Sequence, residues 1–442
     1  MPVTDEAAVT PREHPRQSTL ALFGSGDFAF NLYWQAINLY LLFFYIDALQ
    51  LPPAVAGTVF MVGTVWDGAA DFCAGAVAER TAVAYRRLVG LGAVPLGLAF
   101  VAMFAVPAGH ALLALAAQIV FRTLYAFTNI PYAAWTTRVA ATSEARATIA
   151  GWRMGFGAAA GALVAFALPA LVATAGSYAA AAAVLALAGT PLLLVIAWRV
   201  PETRAETGAP TPPATLHALA LLVRNRFFIA LNLAAALGGA AAAVMGQSVL
   251  YFFRYVLDDA EGGPRALTAM ALVSVVAVPA WTWVARHCGA REAWLVAGTL
   301  ALVPPVVLAL AAPGSIATAA FLLAMQAAFA GVWLAAWTLL PDAVDWGAAK
   351  NGERVEALAF GTFALAQKVA LALAGFAIGA VYQYAGFRSG APQGPDASAA
   401  IRWLMLAGPA VLVAAMLAAV VAIPHRRDAS QASTNSPDTP SA

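Results

Sequence analysis

The sequence predicts an all-α integral membrane protein: twelve transmembrane helices in two pseudo-symmetric six-helix bundles. Three observations support that class. Apolar residues make up 62% of the 442 and charged residues only 10%, with a mean hydropathy of +0.78. Soluble domains run near ~45–50% apolar and ~25% charged, so lipid must be the solvent for most of this surface. Cutting the chain at prolines, glycines and charge clusters leaves twelve stretches that match the ~20 apolar residues of a membrane span. The halves also echo each other: "LYLLFFYIDAL" resembles "VLYFFRYVLDD", and "PYAAWTTRVAATSEARA" parallels "PDAVDWGAAKNGERVEA".

The predicted spans of the first half are 19–48, 53–78, 87–107, 111–139, 148–175 and 178–199. Those of the second are 225–256, 265–285, 291–311, 314–341, 356–385 and 400–423. The domain organisation follows: a polar N-terminal segment (1–18), a first bundle (19–199), a polar linker (200–224), a second bundle (225–424) and a polar, disordered tail (425–442). The N-terminal segment lacks the short apolar core and cleavage site of a signal peptide. Cys73 and Cys288 fall in or beside apolar stretches and suggest no disulfide framework. The basic residues alternate from side to side, as the positive-inside rule requires. Arg254, Arg265, Arg388 and Arg402 fall on one side, and Arg122, Arg153 and Lys368 fall within spans. The rest lie on the side of both termini, which places the termini in the cytoplasm. Two parallel six-helix repeats around a central cavity suit a secondary transporter with its site near the midplane.

An ionisable group at the bilayer centre costs at least ~2.5–3.5 kcal/mol, so each one there faces a partner or a watery cavity. In the first span Asp27, Asn31, Trp34, Gln35 and Asn38 fall on one helical stripe. That stripe is either a set of interhelical hydrogen bonds or a cavity wall, and Asp27 favours the wall. In the second span Asp67 and Asp71 share a face at i, i+4. Two ionised carboxylates this close repel, which a cation or a proton relieves; a structural ion pair with Arg153 or Lys368 is the alternative. Thr128 and Asn129 precede Pro131 in the fourth span, where the proline frees a carbonyl. Arg153 lies inside the fifth, and Gln326, Phe329, Trp333 and Trp337 form a stripe on the tenth. Lys368, one of two lysines in the chain, sits mid-span in the eleventh. It reads as a charge partner for Asp27, Asp67 or Asp71, as a cavity residue, or as both. The sequence carries no metal-ligand cluster, nucleophile triad, phosphate loop or dinucleotide fingerprint. It therefore gives no support to an enzyme, a bound cofactor or a nucleic-acid partner.

Together "GSGDFAFNLYWQ", "VWDGAADFCAGAVAERT", "NIPYAAW", "GWRMG" and "LLPDAVDWGAAKNGERVEALAFGTFALAQK" resemble the glycoside–pentoside–hexuronide:cation symporters. These are the melibiose-permease relatives within the major facilitator superfamily, and the resemblance covers nearly all twelve spans. It implies cation coupling at Asp67 and Asp71. It implies a substrate site at Asp27, Arg153, Trp333 and Lys368, beside the stripe residues Asn31, Trp34 and Gln35 and the fourth-span Asn129. It also implies a cytoplasmic gate of Gly75, Glu79, Arg80, Arg86 and Arg87 with Asp342, Asp345, Glu353, Arg354 and Glu356. Asn129 stands where melibiose permease has an aspartate, and Ala133 where it has a tryptophan, so the resemblance argues against melibiose itself. The lost carboxylate would ease binding of an acidic sugar beside Arg153. Ala70 replaces an expected amide and Phe72 a proline, and fewer oxygen ligands weaken Na⁺ more than H⁺.

The expected function is cation-coupled symport of a sugar or glycoside by alternating access, with H⁺ favoured over Na⁺. The setting expected is a bacterial inner membrane, with lipid and a small-molecule substrate as partners and a functional monomer. The rivals are a same-fold carrier of a lysolipid or drug and a non-transporting membrane sensor.

Overall fold

The computed structural model describes residues 16–80, 83–139, 143–202, 215–310, 314–351, 353 and 355–423. All regular structure among them is helical. The first half holds α1 (Gln17–Gly24), α2 (Gly26–Ala36), α3 (Pro53–Arg80), α4 (Tyr85–Phe104), α5 (Ala111–Val139), α6 (Ser143–Ala175) and α7 (Tyr178–Arg199). A short α8 (Thr215–Arg224) precedes α9 (Arg226–Tyr255), α10 (Gly262–Cys288), α11 (Ala290–Ala301) and α12 (Val303–Leu310). Then come α13 (Ser315–Asn351), α14 (Glu356–Tyr384), α15 (Pro395–Met405) and α16 (Ala407–Val421). Among the described residues, 10 helical stretches are long and apolar enough to cross a membrane. The first two predicted spans are not among them. These are the spans with Asp27, Asp67 and Asp71, whose polar side chains dilute the apolar run.

The first span differs most from a simple helix. It breaks at Ser25, whose hydroxyl donates to the Leu22 carbonyl at 2.7 Å, and widens into π-helical segments at Ile37–Leu41 and Phe44–Ala48. A π turn inserts an extra residue and rotates the rest of the helix about its axis, a distortion frequent at functional sites. Two other boundaries differ from expectation. Part of the expected linker is α8, and α13 runs through Pro341 to Asn351, so Asp342 and Asp345 lie on helix rather than beyond it. Asn225 starts α9 by accepting the Phe228 N–H at 3.0 Å, the usual use of asparagine at a helix start. Its amide also donates to the Ala343 carbonyl at 2.7 Å, tying α9 to α13.

The packing repeats between halves. In the first, α2 packs on α6 and α7, α3 on α5, and α4 on α5 and α7; in the second, α9 packs on α14 and α16, α10 on α13, and α11 on α13 and α16. Among the described residues the halves meet mainly where α3 packs on α14 and α6 on α10, and the π-helical Ile37–Leu41 segment also touches α9. Successive spans alternate in direction, so residues 49–52, 256–261 and 385–394 share a far face and 83–84 and 200–202 a near face. At the far face Asp47 accepts from the Tyr255 hydroxyl and, at 2.7 Å, from the Ser389 hydroxyl. Gln50 donates to the Ser389 oxygen at 3.2 Å. At the near face Glu202 accepts the Tyr85 and Arg86 N–H groups at 3.0 and 2.9 Å, and Arg138 lies at 2.5 Å from the same carboxylate. An anion at a helix start is favoured by the helix dipole.

Glycines set the approach of α3 to α14. A Cβ on Gly379 would lie 3.0 Å from the Gly57 Cα and nearer still to the Pro53 carbonyl oxygen, so only glycine fits. Gly379→Ala is expected to force the helices apart and lower unfolding stability by about 1–3 kcal/mol. Chemical or thermal unfolding of the purified variant checks this, and unchanged stability would contradict the close contact.

Candidate functional site

Two polar centres lie along the interface between the halves. The first is a cavity of about 690 Å³ walled by α2, α6, α9, α10 and α13. Asp27, Asn31, Gln35 and Arg153 line it from the first half, Ser274 and Gln326 from the second. The wall is built by small residues. A Cβ on Gly24 would meet the Trp152 side chain at 2.5 Å, and one on Gly26 the Tyr132 ring at 2.6 Å. Those glycines let α6 and α5 close on either side of Asp27. Arg153 grips Asp27 through two nitrogens, with Nε on Oδ2 and Nη2 at 3.4 Å from Oδ1. The same guanidinium donates to Thr136 at 3.2 Å, and the Tyr132 hydroxyl stands 3.2 Å from Asp27 Oδ2. Gly157 and Gly161 face Asn31 and Gln35, which a Cβ would meet at 3.1 and 3.6 Å. Gln326 donates to Ser274 at 2.9 Å across the opposite wall.

The second centre joins three helices. Lys368 of α14 lies 2.6 Å from Asp67 Oδ2 and is also ion-paired with Asp71 Oδ2. Arg122 of α5 approaches the same Asp67 oxygen at 3.3 Å and donates to Thr64 Oγ1 at 3.2 Å. The Asp67 and Arg122 side chains are 1% and 0% exposed, whereas Asp71 is 28% exposed. Two carboxylates therefore meet two cations in a site closed to water at Asp67 and Arg122 and open at Asp71 and Lys368. Trp34 lies between the two centres, its ring 5.5 Å from the Arg122 guanidinium and 6.0 Å from the Lys368 ammonium. Its other neighbour is Tyr125, stacked at 5.8 Å.

The residues expected together thus divide. Asp27, Asn31, Gln35 and Arg153 share the cavity. Lys368 instead sits with Asp67 and Asp71, the ion-pair alternative left open by the sequence, and Trp34 faces that cluster. Asn129 is half-buried away from the cavity wall, and Trp333 packs by Gly239 beside Gln367. Asn38 leaves the stripe: the π turn beginning at Ile37 brings Leu39 into the wall and leaves the Asn38 oxygen buried without a partner. Of the gate residues, Gly75 lies on α3, Arg86 and Arg87 are exposed at the start of α4, and Asp342 and Asp345 lie on α13. Glu353 meets His217 at 3.2 Å. The side chains of Glu79, Arg80 and Glu356, and all of Arg354, lie outside the described residues. Sequence reasoning left Arg122, Tyr132, Ser274 and Glu202 without roles. Only Arg122 carried a signal, as a charge inside a span.

Comparison with known proteins agrees with this architecture. A sequence model described as MFS/sugar transport protein matches residues 22–427. The chain belongs to that family. It is a membrane transporter and not an enzyme. It is similar to YagG of Escherichia coli K12, named for glycoside/cation symport, at 27% identity over 89% of each chain. The inner membrane symporter YicJ of the same organism is 25% identical over 83% of this chain and 82% of that one. The isoprimeverose transporter of Lactiplantibacillus pentosus is 24% identical over 92% and 89%. Among solved structures, the nucleoside transporter NupG superposes with a TM-score of 0.70 at 14% identity, covering 91% of this chain and 99% of that one. A bacterial homologue of the human lysosomal transporter Spinster gives 0.70 at 14% identity, covering 96% and 98%. At these identities the two structures speak for the fold alone.

Because Gly157 faces both Asn31 and the cavity, Gly157→Leu is expected to fill the space a solute needs. Uptake should fall at least about tenfold, in line with the affinity cost of a lost subsite, while the melting temperature stays near that of the parent. Retained uptake would mean the solute passes elsewhere.

Proposed function

We propose that the protein is a proton-coupled importer of a neutral sugar or glycoside, working by alternating access with its near face in the cytoplasm of a bacterial inner membrane. The observation that carries this reading is the bridge from Lys368 on one half to Asp67 and Asp71 on the other. Moving the halves apart around the cavity requires that this bridge open. A proton on Asp71, the more exposed carboxylate, neutralises one anchor of Lys368 and makes opening cheaper. The charged groups facing Asp71 are Asp67 on its own helix, Lys368 on α14 and Arg122 on α5. Ion and substrate affinities are then linked through the same conformational equilibrium.

The cavity supports a polyhydroxyl ligand. Amides of Asn31 and Gln35, the Ser274 hydroxyl and the Gln326 amide offer both donors and acceptors. Arg153 is already engaged by Asp27, so the wall carries no unbalanced charge, and a neutral glycoside fits better than an acidic one. Names of the similar proteins, glycoside/cation symporter and isoprimeverose transporter, point the same way. The six polar side chains that converge on an otherwise apolar wall favour a glycoside over a lysolipid. The hydroxyl beside Asp67 is already occupied, which favours a proton over Na⁺: Thr64 Oγ1 donates to the Phe60 carbonyl at 2.8 Å and accepts from Arg122.

The test is uptake of labelled glycosides, isoprimeverose among them, into proteoliposomes under imposed pH or Na⁺ gradients. An inward proton gradient should drive accumulation, and a Na⁺ gradient at constant pH should not. Asp71→Asn should lower gradient-driven accumulation at least about tenfold while leaving exchange between equal sugar pools, as expected when a coupling group is neutralised. Accumulation by Asp71→Asn equal to the parent would contradict the assigned role.

A further inference from the structure

We propose that Arg122 is a built-in replacement for a metal cation, its guanidinium filling the charge position beside Asp67 so that the transporter has no use for Na⁺ or Li⁺. The inference rests on reading the Asp67–Asp71 cluster as the ion-coupling element, and it adds why that element excludes metal ions. Arg122 sits in the apolar run of α5, fully buried, with no route for its head to reach water. Such a charge is tolerated in a membrane protein only against an opposite one. Its partners are Asp67 Oδ2 at 3.3 Å and Thr64 Oγ1 at 3.2 Å, three residues apart on one face of α3. A carboxylate and a hydroxyl at that spacing are oxygen ligands of the kind a hard cation takes. Here a guanidinium takes them.

Ligand supply is the reason a metal ion has no place there, because a proton and a monovalent metal ion add the same charge to the cluster. With Arg122 and Lys368 facing Asp67 and Asp71, the cluster is neutral before any ion arrives. A metal ion entering beside Asp67 would find Oδ2 shared by Arg122 and Lys368 and Thr64 Oγ1 taken by Arg122, which leaves Asp67 Oδ1, one oxygen where a shell of several is needed. A proton needs no shell of oxygens, only one carboxylate. The two cations are also not equivalent. A guanidinium stays charged at every accessible pH, while a lysine ammonium is a compact point charge on a flexible stem. Arg122 therefore stays paired with Asp67, and the exchangeable pair is Asp71 with Lys368. In the coupling step Asp71 takes up one proton, its carboxylate becomes a neutral carboxyl, and the Lys368 ammonium loses that partner without changing its own protonation. Trp34 backs both cations with its ring face, which further fills the space beside them.

Arg122 is a positioning residue, acting through Asp67. The test uses purified, full-length protein without sugar, so its outcome is independent of which glycoside is carried or whether transport is proton-driven. Melting temperature is measured in NaCl, LiCl and choline chloride at equal ionic strength. The parent protein should melt at the same temperature in all three. Arg122→Ser, which removes the charge and leaves a hydroxyl, should be stabilised by Na⁺ or Li⁺ over choline and bind ²²Na⁺ in equilibrium dialysis. Arg122→Lys, which keeps a cation, should remain indifferent to the salt. The proposal is overturned if the parent itself is stabilised by Na⁺ or binds ²²Na⁺. It is equally overturned if folded Arg122→Ser is blind to Na⁺, or if Arg122→Lys responds as strongly as Arg122→Ser. Should Arg122→Ser not fold, Arg122→Gln, which also removes the charge and keeps an oxygen ligand, is read by the same criteria.

Discussion

Charge neutrality in a medium that does not solvate charge governs how this molecule can be built. Asp67 and Arg122 are both closed to water; removing the Asp67 charge would strip Arg122 of its nearest anion, and removing the Arg122 charge would leave Asp67 to Lys368 alone. Breaking a buried pair from one side costs about 3–5 kcal/mol, whereas the intact pair contributes little net stability. Such a pair therefore acts less as glue than as a condition: α3 and α5 must stay in register for both charges to be tolerated. Lys368 extends the same condition across the interface to α14. This ionic contact between the halves is thus also the one most sensitive to the arrival of a proton.

The cavity depends on charge pairing in a weaker form. Asp27 and Arg153 are paired but partly exposed, with Tyr132 and Thr136 completing their hydrogen bonds. Both members of this pair belong to the first half, on α2 and α6, so it can persist while the halves move. The Lys368 bridge cannot. This separates a substrate wall that keeps its shape from an ion bridge that opens and closes, with Trp34 lying between them. At the far face Asp47 meets Tyr255 and Ser389 of the second half, and Gly57 lies against Gly379. The halves are held together on that side.

Much of this was legible in the sequence because hydropathy and helical period are one-dimensional signals. A run of apolar residues reports a span, and the i, i+4 spacing of Asp67 and Asp71 reports a shared face. The first span was legible as a polar stripe but not as a broken helix: nothing in "NLYWQAINLYLL" announces the π turn that swaps Leu39 for Asn38. Partner choice was the least legible. Lys368 had three candidate aspartates by sequence, and only the packing of α3 on α14 selects two of them. Arg122 was visible as a charge in a span, yet one residue at one position does not say what it faces. Tyr132 stood in the "NIPYAAW" stretch with nothing to say that it faces Asp27, and Ser274 carried no charge and no motif, so both placements come from tertiary packing.

If buried Arg122 is tolerated because Asp67 faces it, their contributions to stability must be coupled. An unfolding double-mutant cycle on the purified protein, with Asp67→Asn, Arg122→Met and both together, reads that coupling. Each single change should be strongly destabilising, and the double variant should recover much of the loss, with a coupling of about 1.5 kcal/mol or more. Losses that simply add would contradict the pairing, because they would mean that the two charges do not depend on each other.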